Sequence, residues 1–234
     1  MNHSKRYLQT VALVERERVY PVQEAIVLLK RTATAKFPET AEAAFKMGIN
    51  PSQHQIRGTC VLPHGTGKTV RVLVFAKGEK IREAEAAGAD YVGGEDLAEK
   101  IKEGWWKFDR VVATPDMMPI VGKLGKILGP RGLMPSPKTG TVTQDVAQVV
   151  KELKAGMIEF RADRYGIVHA VFGKTSFTED QLYENLLALT KAILERRPEG
   201  LRGRYIQSVS ISATMGPGIR VDERELLAAA TQIH

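Results

Sequence analysis

Five histidines, one cysteine and 27 carboxylates are the residues from which a catalytic or metal site would have to be built. His3, His54, His64, His169 and His234 show no ligand spacing, and Cys60 is the only thiol, so no metal site is expected. Cys60 lies in an apolar, strand-like run, which suits an inert core thiol and excludes an internal disulfide. No carboxylate is tied to a nucleophile in a readable pattern. Gly65-Thr66-Gly67-Lys68-Thr69 has the outline of a phosphate loop, but Leu62 stands where its first glycine belongs, and the segment precedes a strand instead of following one. Gly122-x-x-Gly125 fails as a dinucleotide fingerprint because no strand feeds it. The chemistry left is binding chemistry: no enzyme and no cofactor are expected.

The strongest binding feature is residues 122–141, with five glycines, three prolines, Lys123, Lys126, Arg131 and Lys138, and no acid. Proline removes donors and glycine raises the entropy cost of order, so this segment reads as an extended cationic surface loop. Uncompensated cations beside exposed amides form an anion site such as a nucleic-acid backbone would fill; the bland alternative is an ordinary long loop. A second feature is a pair of turns, Lys36-Phe37-Pro38-Glu39-Thr40 and Thr214-Met215-Gly216. Each carries small polar groups and one bulky apolar side chain. Phe37 and Met215 taken singly fit a core better than a surface. If the two turns meet in space, they suit recognition of RNA by shape, with hydroxyl and amide groups at the ribose 2′-OH.

Composition agrees with an anionic partner. The net charge is +7 and the pI is near 9.5. It is uneven: +4 over residues 1–67, +3 over 68–156 and zero over 157–234. No apolar run approaches the ~20 residues that span a bilayer. No apolar stretch follows Lys5-Arg6-Tyr7, so no signal peptide and no membrane partner are expected, and a cytoplasmic location is.

The elements that would position these features change character along the chain. A weakly helical piece reaches about residue 18, and residues 21–32 read as a helix after Pro21. Residues 43–49 and 56–62 read as antiparallel strands, and the breaker at 63–67 as a domain boundary. Residues 70–76, 90–92 and 111–114 are short apolar strands alternating with helices at 79–87, 96–102 and within 116–128, the signature of a parallel sheet. A helix over 145–154 follows, with Thr143 as its expected cap. Residues 157–161 and 167–172 flank Asp163-Arg164-Tyr165-Gly166, which predicts a β-hairpin. A long helix over 176–196, an alternating strand over 205–213 and a short, weakly attached helix after Asp222 complete the chain. The economical fold is two domains. One is a discontinuous α+β domain, an antiparallel sheet with helices, built from 1–67 and 157–234. The other is a Rossmann-like parallel α/β domain inserted at 68–156. Gly67 and Gly156 mark the crossings and would serve as hinges. Were the inserted domain an enzyme, a polar cluster should lie near Lys77, Tyr91 and Thr114; ordinary surface is expected there.

Residues 113–141, with Phe75-Ala76-Lys77-Gly78-Glu79-Lys80, Ala87-Gly88-Ala89-Asp90-Tyr91-Val92-Gly93 and Thr214-Met215-Gly216-Pro217, resemble the L-one family of large-subunit ribosomal proteins in its bacterial form. The resemblance covers about residues 4–221; Ser136 replaces an expected asparagine, and the tail after Asp222 is longer than usual. It implies the same two-domain fold, binding to the stalk of 23S rRNA, and a stalk that moves deacylated tRNA through and out of the E site. It also implies repression of translation through the protein's own operon mRNA, contacts with other large-subunit components, and a monomer when free. The rRNA site it implies comprises Lys36, Phe37, Thr40, Glu42, Asp163, Arg164, Ser208, Thr214, Met215 and Gly216. Lys5 and Arg6 match a basic arm, and Lys123, Lys126, Arg131 and Lys138 match a secondary RNA contact surface.

Overall fold

The computed structural model describes residues 4–232; His3, His234 and the end of the tail lie outside them. The chain divides into two compact units, one of residues 1–67 and 158–234, the other of residues 68–157. The first unit begins with helix α1 (Lys5–Val11), where the Ser4 side-chain oxygen accepts from Tyr7 N at 3.3 Å. The helix stops at Val11, short of the expected residue 18, because the chain turns back on itself. Glu15 N donates to the Tyr20 hydroxyl (2.9 Å), and Arg18 stacks on the Tyr20 ring. Helix α2 (Val22–Thr32) follows Pro21 and buries Val22, Ala25, Ile26 and Leu29 on one stripe. Strands β1 (Thr40–Met47) and β2 (Arg57–Val61) come next, and they join different sheets. Cys60 is buried on β2; burial first, then Glu195, pushes its thiol up to about 11, so it stays protonated and unreactive.

In the second unit, β3 (Val72–Phe75), β4 (Tyr91–Gly93) and β5 (Arg110–Ala113) form a parallel sheet in the order β4-β3-β5. Both faces are covered. Leu73, Phe75, Val111 and Ala113 enter one core; Val72, Val74 and Val112 enter the other. Helices α3 (Glu79–Ala86) and α7 (Val146–Ala155) pack together on the second face; α4 (Glu95–Lys102), α5 (Met118–Lys123) and α6 (Gly125–Leu128) feed the first. The continuous apolar reading of β3 is thus correct, for a strand buried on both sides. The expectation of an extended loop over 122–141 is wrong in its first third. Val121, Leu124 and Leu128 are fully buried at helical spacing, and that burial outweighs the glycines. Asp145, not Thr143, caps α7, accepting from Gln148 N; Thr143 Oγ1 accepts from Asp145 N instead.

Asp109 closes this sheet's start, accepting from Arg71 Nε (2.9 Å), Lys68 Nζ (3.0 Å) and Arg71 N (3.2 Å). The Arg71 guanidinium above all holds its carboxyl far below the usual range. A carboxyl made more acidic by folding stabilises above its unfolded pKa, about 4, and that contribution is lost as pH falls further. Thermal melts from pH 6 to about pH 2 should therefore fall less steeply for Asp109→Asn than for the unchanged protein, with parallel curves arguing against the Arg71–Asp109 pair as a source of stability.

The chain returns to the first unit through Gly156, the left-handed C-cap of α7 (φ 108°), and β6 (Met157–Arg161). Strand β7 (Ile167–Lys174), helix α8 (Glu179–Leu194), β8 (Ile206–Ala213), β9 (Ile219–Val221) and helix α9 (Glu223–Gln232) follow. The main sheet has the order β7-β1-β8-β9, with β1 antiparallel to both neighbours, while β2 and β6 form a separate pair. The predicted hairpin is therefore half right. The turn forms, with Asp163 N donating to Ile167 O and Gly166 at φ 70°, but a single bridge, Ala162 to Val168, joins β6 and β7. Val168 uses one edge for Phe45 of β1 and meets Ala162 on the other, but β6 leaves β7 after that bridge and pairs with β2 instead.

The long helix α8 starts at Thr178 with a reciprocal capping box to Gln181. Its Asn185 is fully buried: Oδ1 accepts from His64 N (3.0 Å), and Nδ2 donates to Gly65 O (3.0 Å) and Phe172 O (2.9 Å). The tail helix is not weakly attached. Leu226 and Ala230 are fully buried, and a Glu225 carboxylate oxygen accepts from Val22 N at 3.2 Å. That contact supplies the cap Pro21 cannot give α2.

Candidate nucleic-acid interface

The main sheet has one apolar face and one open face. Ala41, Ala43, Phe45 and Met47 of β1 alternate inward, with Val209, Ile211 and Ala213 of β8 beside them. The alternate set lies outward in register: Glu42 between Val171 and Ser212, Ala44 between His169 and Ser210, and Lys46 between Ile167 and Ser208. Arg220 of β9 continues the Ala44 row beside Ser210. On this face Ala44, Ser208, Ser210 and Ser212 are small, Lys46, His169 and Arg220 carry nitrogen bases, Ile167 and Val171 are apolar, and Glu42 is the one carboxylate among these positions. The serines of β8 leave that strand open to close approach by a polyanion, with Lys46 and Arg220 in the rows beside them.

At one end of this face the two turns meet. Thr40 N donates to Thr214 Oγ1 (2.9 Å), and Thr214 N donates to Thr40 O (3.1 Å). Lys174 Nζ donates to Thr40 Oγ1 at 2.7 Å. Glu39 is 1% exposed and acts as a strap: one carboxylate oxygen accepts from Ala35 N and the other from Met215 N, each at 2.8 Å. Phe37 and Met215 are left 53% and 49% exposed, so neither is the core residue its type suggests. Lys36 is exposed beside Phe37. A cavity of about 320 Å³ lined by Tyr7, Val11, Val14, Arg16, Pro217 and Gly218 brings α1, which begins with exposed Lys5 and Arg6, against the turn that follows Gly216.

Asp163 and Arg164 lie elsewhere. Their turn sits at the Lys46 end of β1, about 20 Å along the strand from Thr40 at ~3.3 Å per residue. Asp163 accepts from Tyr165 N and Ile167 N at 2.8 Å each, and the Ile167 amide above all holds its carboxyl below the usual range. Arg164 stacks on the exposed Tyr165, and Lys46 Nζ donates to Tyr165 O at 2.6 Å. The predicted residues thus occupy both ends of one face, with Glu42 and Ser208 between them. Sequence reasoning misses Glu39, Lys46, Lys174, Ser210 and Ser212. The three serines at alternate positions of β8 are a visible signal; the link of Glu39 to Met215 and that of Lys174 to Thr40 span at least 134 residues and leave none.

In the second unit, Lys123, Lys126, Arg131 and Lys138 are exposed, and none forms an ion pair among the described residues. At the ends of β3, β4 and β5, Lys77 is exposed, Tyr91 stands edge-on to Trp105 at 4.7 Å, and Thr114 Oγ1 is buried without a partner. No hydrogen bond links these three residues to one another. Among the described residues, no helix is long and apolar enough to cross a membrane.

The chain thus combines a parallel α/β unit with an α+β unit that presents one open, polar sheet face. The chain belongs to the Ribosomal protein L1p/L10e family, whose model matches residues 29–217. It is accordingly a structural protein of the large ribosomal subunit that binds rRNA, works on the ribosome in the cytoplasm alongside other ribosomal components, and is not an enzyme. Helix α1 and everything from Gly218 onward, including α9, lie outside the matched stretch.

Proposed function

We propose that the first unit is an RNA-binding domain that grips the stalk region of 23S rRNA through its open sheet face. The observation that carries this reading is the knitted pair of turns: Phe37 on one and Met215 on the other are exposed, and Glu39, Thr40, Thr214 and Lys174 tie the two turns together. Apolar faces there meet ribose and base, hydroxyls and amides meet the 2′-OH, and Lys5, Arg6, Lys36 and Arg164 meet phosphates. Glu42, Asp163, Ser208 and Gly216 complete the footprint. Through the stalk, the protein helps move deacylated tRNA through and out of the E site. Lys123, Lys126, Arg131 and Lys138 add a secondary RNA contact. Gly67 and Gly156, both left-handed, are the proposed hinges. A Cβ on Gly67 would meet Lys174 Cγ at 2.8 Å and Phe177 Cε1 at 2.9 Å, so only glycine suits that crossing.

The test is filter binding of the intact protein to the stalk fragment and to an unrelated RNA of equal length, at ~0.05 and ~0.2 M salt. Binding that stays selective at the higher salt is the expected result; equal, salt-labile binding of both RNAs would sink the reading. Met215→Asp places a charge on a packed RNA face and should weaken stalk binding by about 1–3 kcal/mol while leaving the unrelated RNA unaffected. Repression of the protein's own operon mRNA uses the same face. Added stalk rRNA should therefore relieve repression in a cell-free translation reaction, and failure to compete would separate the two activities.

A further inference from the structure

The cationic segment of the second unit is pinned to an aromatic cluster. Arg131 Cζ lies 3.7 Å from the centroid of the Trp106 ring, the distance of direct stacking. Trp106 leans on buried Phe108 at 5.9 Å, and Phe108 in turn contacts Trp105 at 5.5 Å, itself edge-on to Tyr91. The cluster is continuous with the core beneath the parallel sheet. Arg131 is exposed and has no carboxylate partner among the described residues. One face of its guanidinium is on the indole, and the residue as a whole is exposed to solvent. Gly132, at φ 67°, turns the chain away directly afterwards.

A planar cation 3.7 Å above an indole can serve as a stacking platform, and exposed Lys107 next to Trp106 in sequence, with Lys126 and Lys138 on the segment that carries Arg131, supplies charge for phosphates. We infer that Arg131 and Trp106 form a site for an unpaired nucleobase of RNA, stacked on the guanidinium, with neighbouring phosphates on the lysines. The inference rests on the reading of this segment as a secondary RNA contact and names the group it takes there; it does not rest on the sheet face of the first unit. Arginine is required for its plane as much as its charge; lysine supplies the charge alone.

Both tryptophans of the chain lie in this cluster, so indole fluorescence reports on the site itself. The experiment uses the intact protein carrying Trp105→Phe, leaving Trp106 as sole emitter, titrated with a short oligoadenylate or with inorganic polyphosphate at matched phosphate concentration. Saturable quenching by oligoadenylate, at least several-fold tighter than any response to polyphosphate, is expected. Arg131→Lys should weaken oligoadenylate about tenfold and leave polyphosphate unchanged. Binding of labelled oligoadenylate to Trp106→Leu, followed by anisotropy, should fall similarly, with unchanged thermal melts showing that the unit stays folded. Met215→Asp should not alter the signal, which separates this site from the sheet face. Equal responses to the two polyanions, or wild-type affinity in Arg131→Lys, would overturn the inference.

Discussion

Glu39→Ala should unfold at lower urea, losing about 2–4 kcal/mol, and should lose most of its selectivity for stalk rRNA although Glu39 is buried and touches no RNA. The carboxylate is the sole side chain that accepts from both Ala35 N and Met215 N, and alanine leaves both amides to find water inside a packed turn. Glu39→Gln is the sharper test. The amide keeps size and one acceptor but turns an NH2 toward one of the two backbone donors, so only one bond survives. A loss near half that of alanine is expected, again with impaired RNA binding because Met215 loses its anchor. A Glu39→Gln protein as stable and as selective as the unchanged one would show that the turns are held by Thr40 and Thr214 alone.

Asn185→Leu is expected to cost about 2–4 kcal/mol, for the same physical reason in a different place. Leucine fits the volume but leaves His64 N, Gly65 O and Phe172 O without the partner that serves all three. Two of those groups belong to the segment that leaves β2, beside Gly67. The midpoint of urea unfolding should fall at constant slope, and limited proteolysis should cut first near residues 63–67. Wild-type resistance there would mean that the His64–Glu184 contact and the packing of Phe177 hold the segment unaided.

What was legible in the sequence was local. The alternating helices and strands over 70–128 identify a parallel sheet because each element declares itself by its own period, and burial on both faces leaves strands such as β3 uniformly apolar. The turn at Asp163–Gly166 is legible for the same reason: its chemistry lies within four residues. Which strand pairs with β7 is not local, and the neighbouring β6 is the natural but wrong guess. The tail shows the same limit. Its alanines look weakly held until Leu226 and Ala230 find α8 and Glu225 finds the start of α2. At the candidate site, residue types pointed to the turns, but their meeting, the exposure of Phe37 and Met215, and the roles of Glu39 and Lys174 all depend on contacts across the sheet.

Strand β1 has both of its neighbours, β7 and β8, downstream of the entire second unit. On a translating ribosome adding ~5–20 residues per second, the roughly 120 residues between the end of β1 and the start of β7 keep that strand waiting for about 6–24 s. Throughout, Phe45 and Met47 have no sheet to enter, and both edges of the strand are open to other chains. The parallel sheet, contiguous from β3 to β5, can close while the nascent chain is still tethered. Synthesis order and folding order are therefore reversed: the segment that leaves the exit tunnel first is the last to be completed.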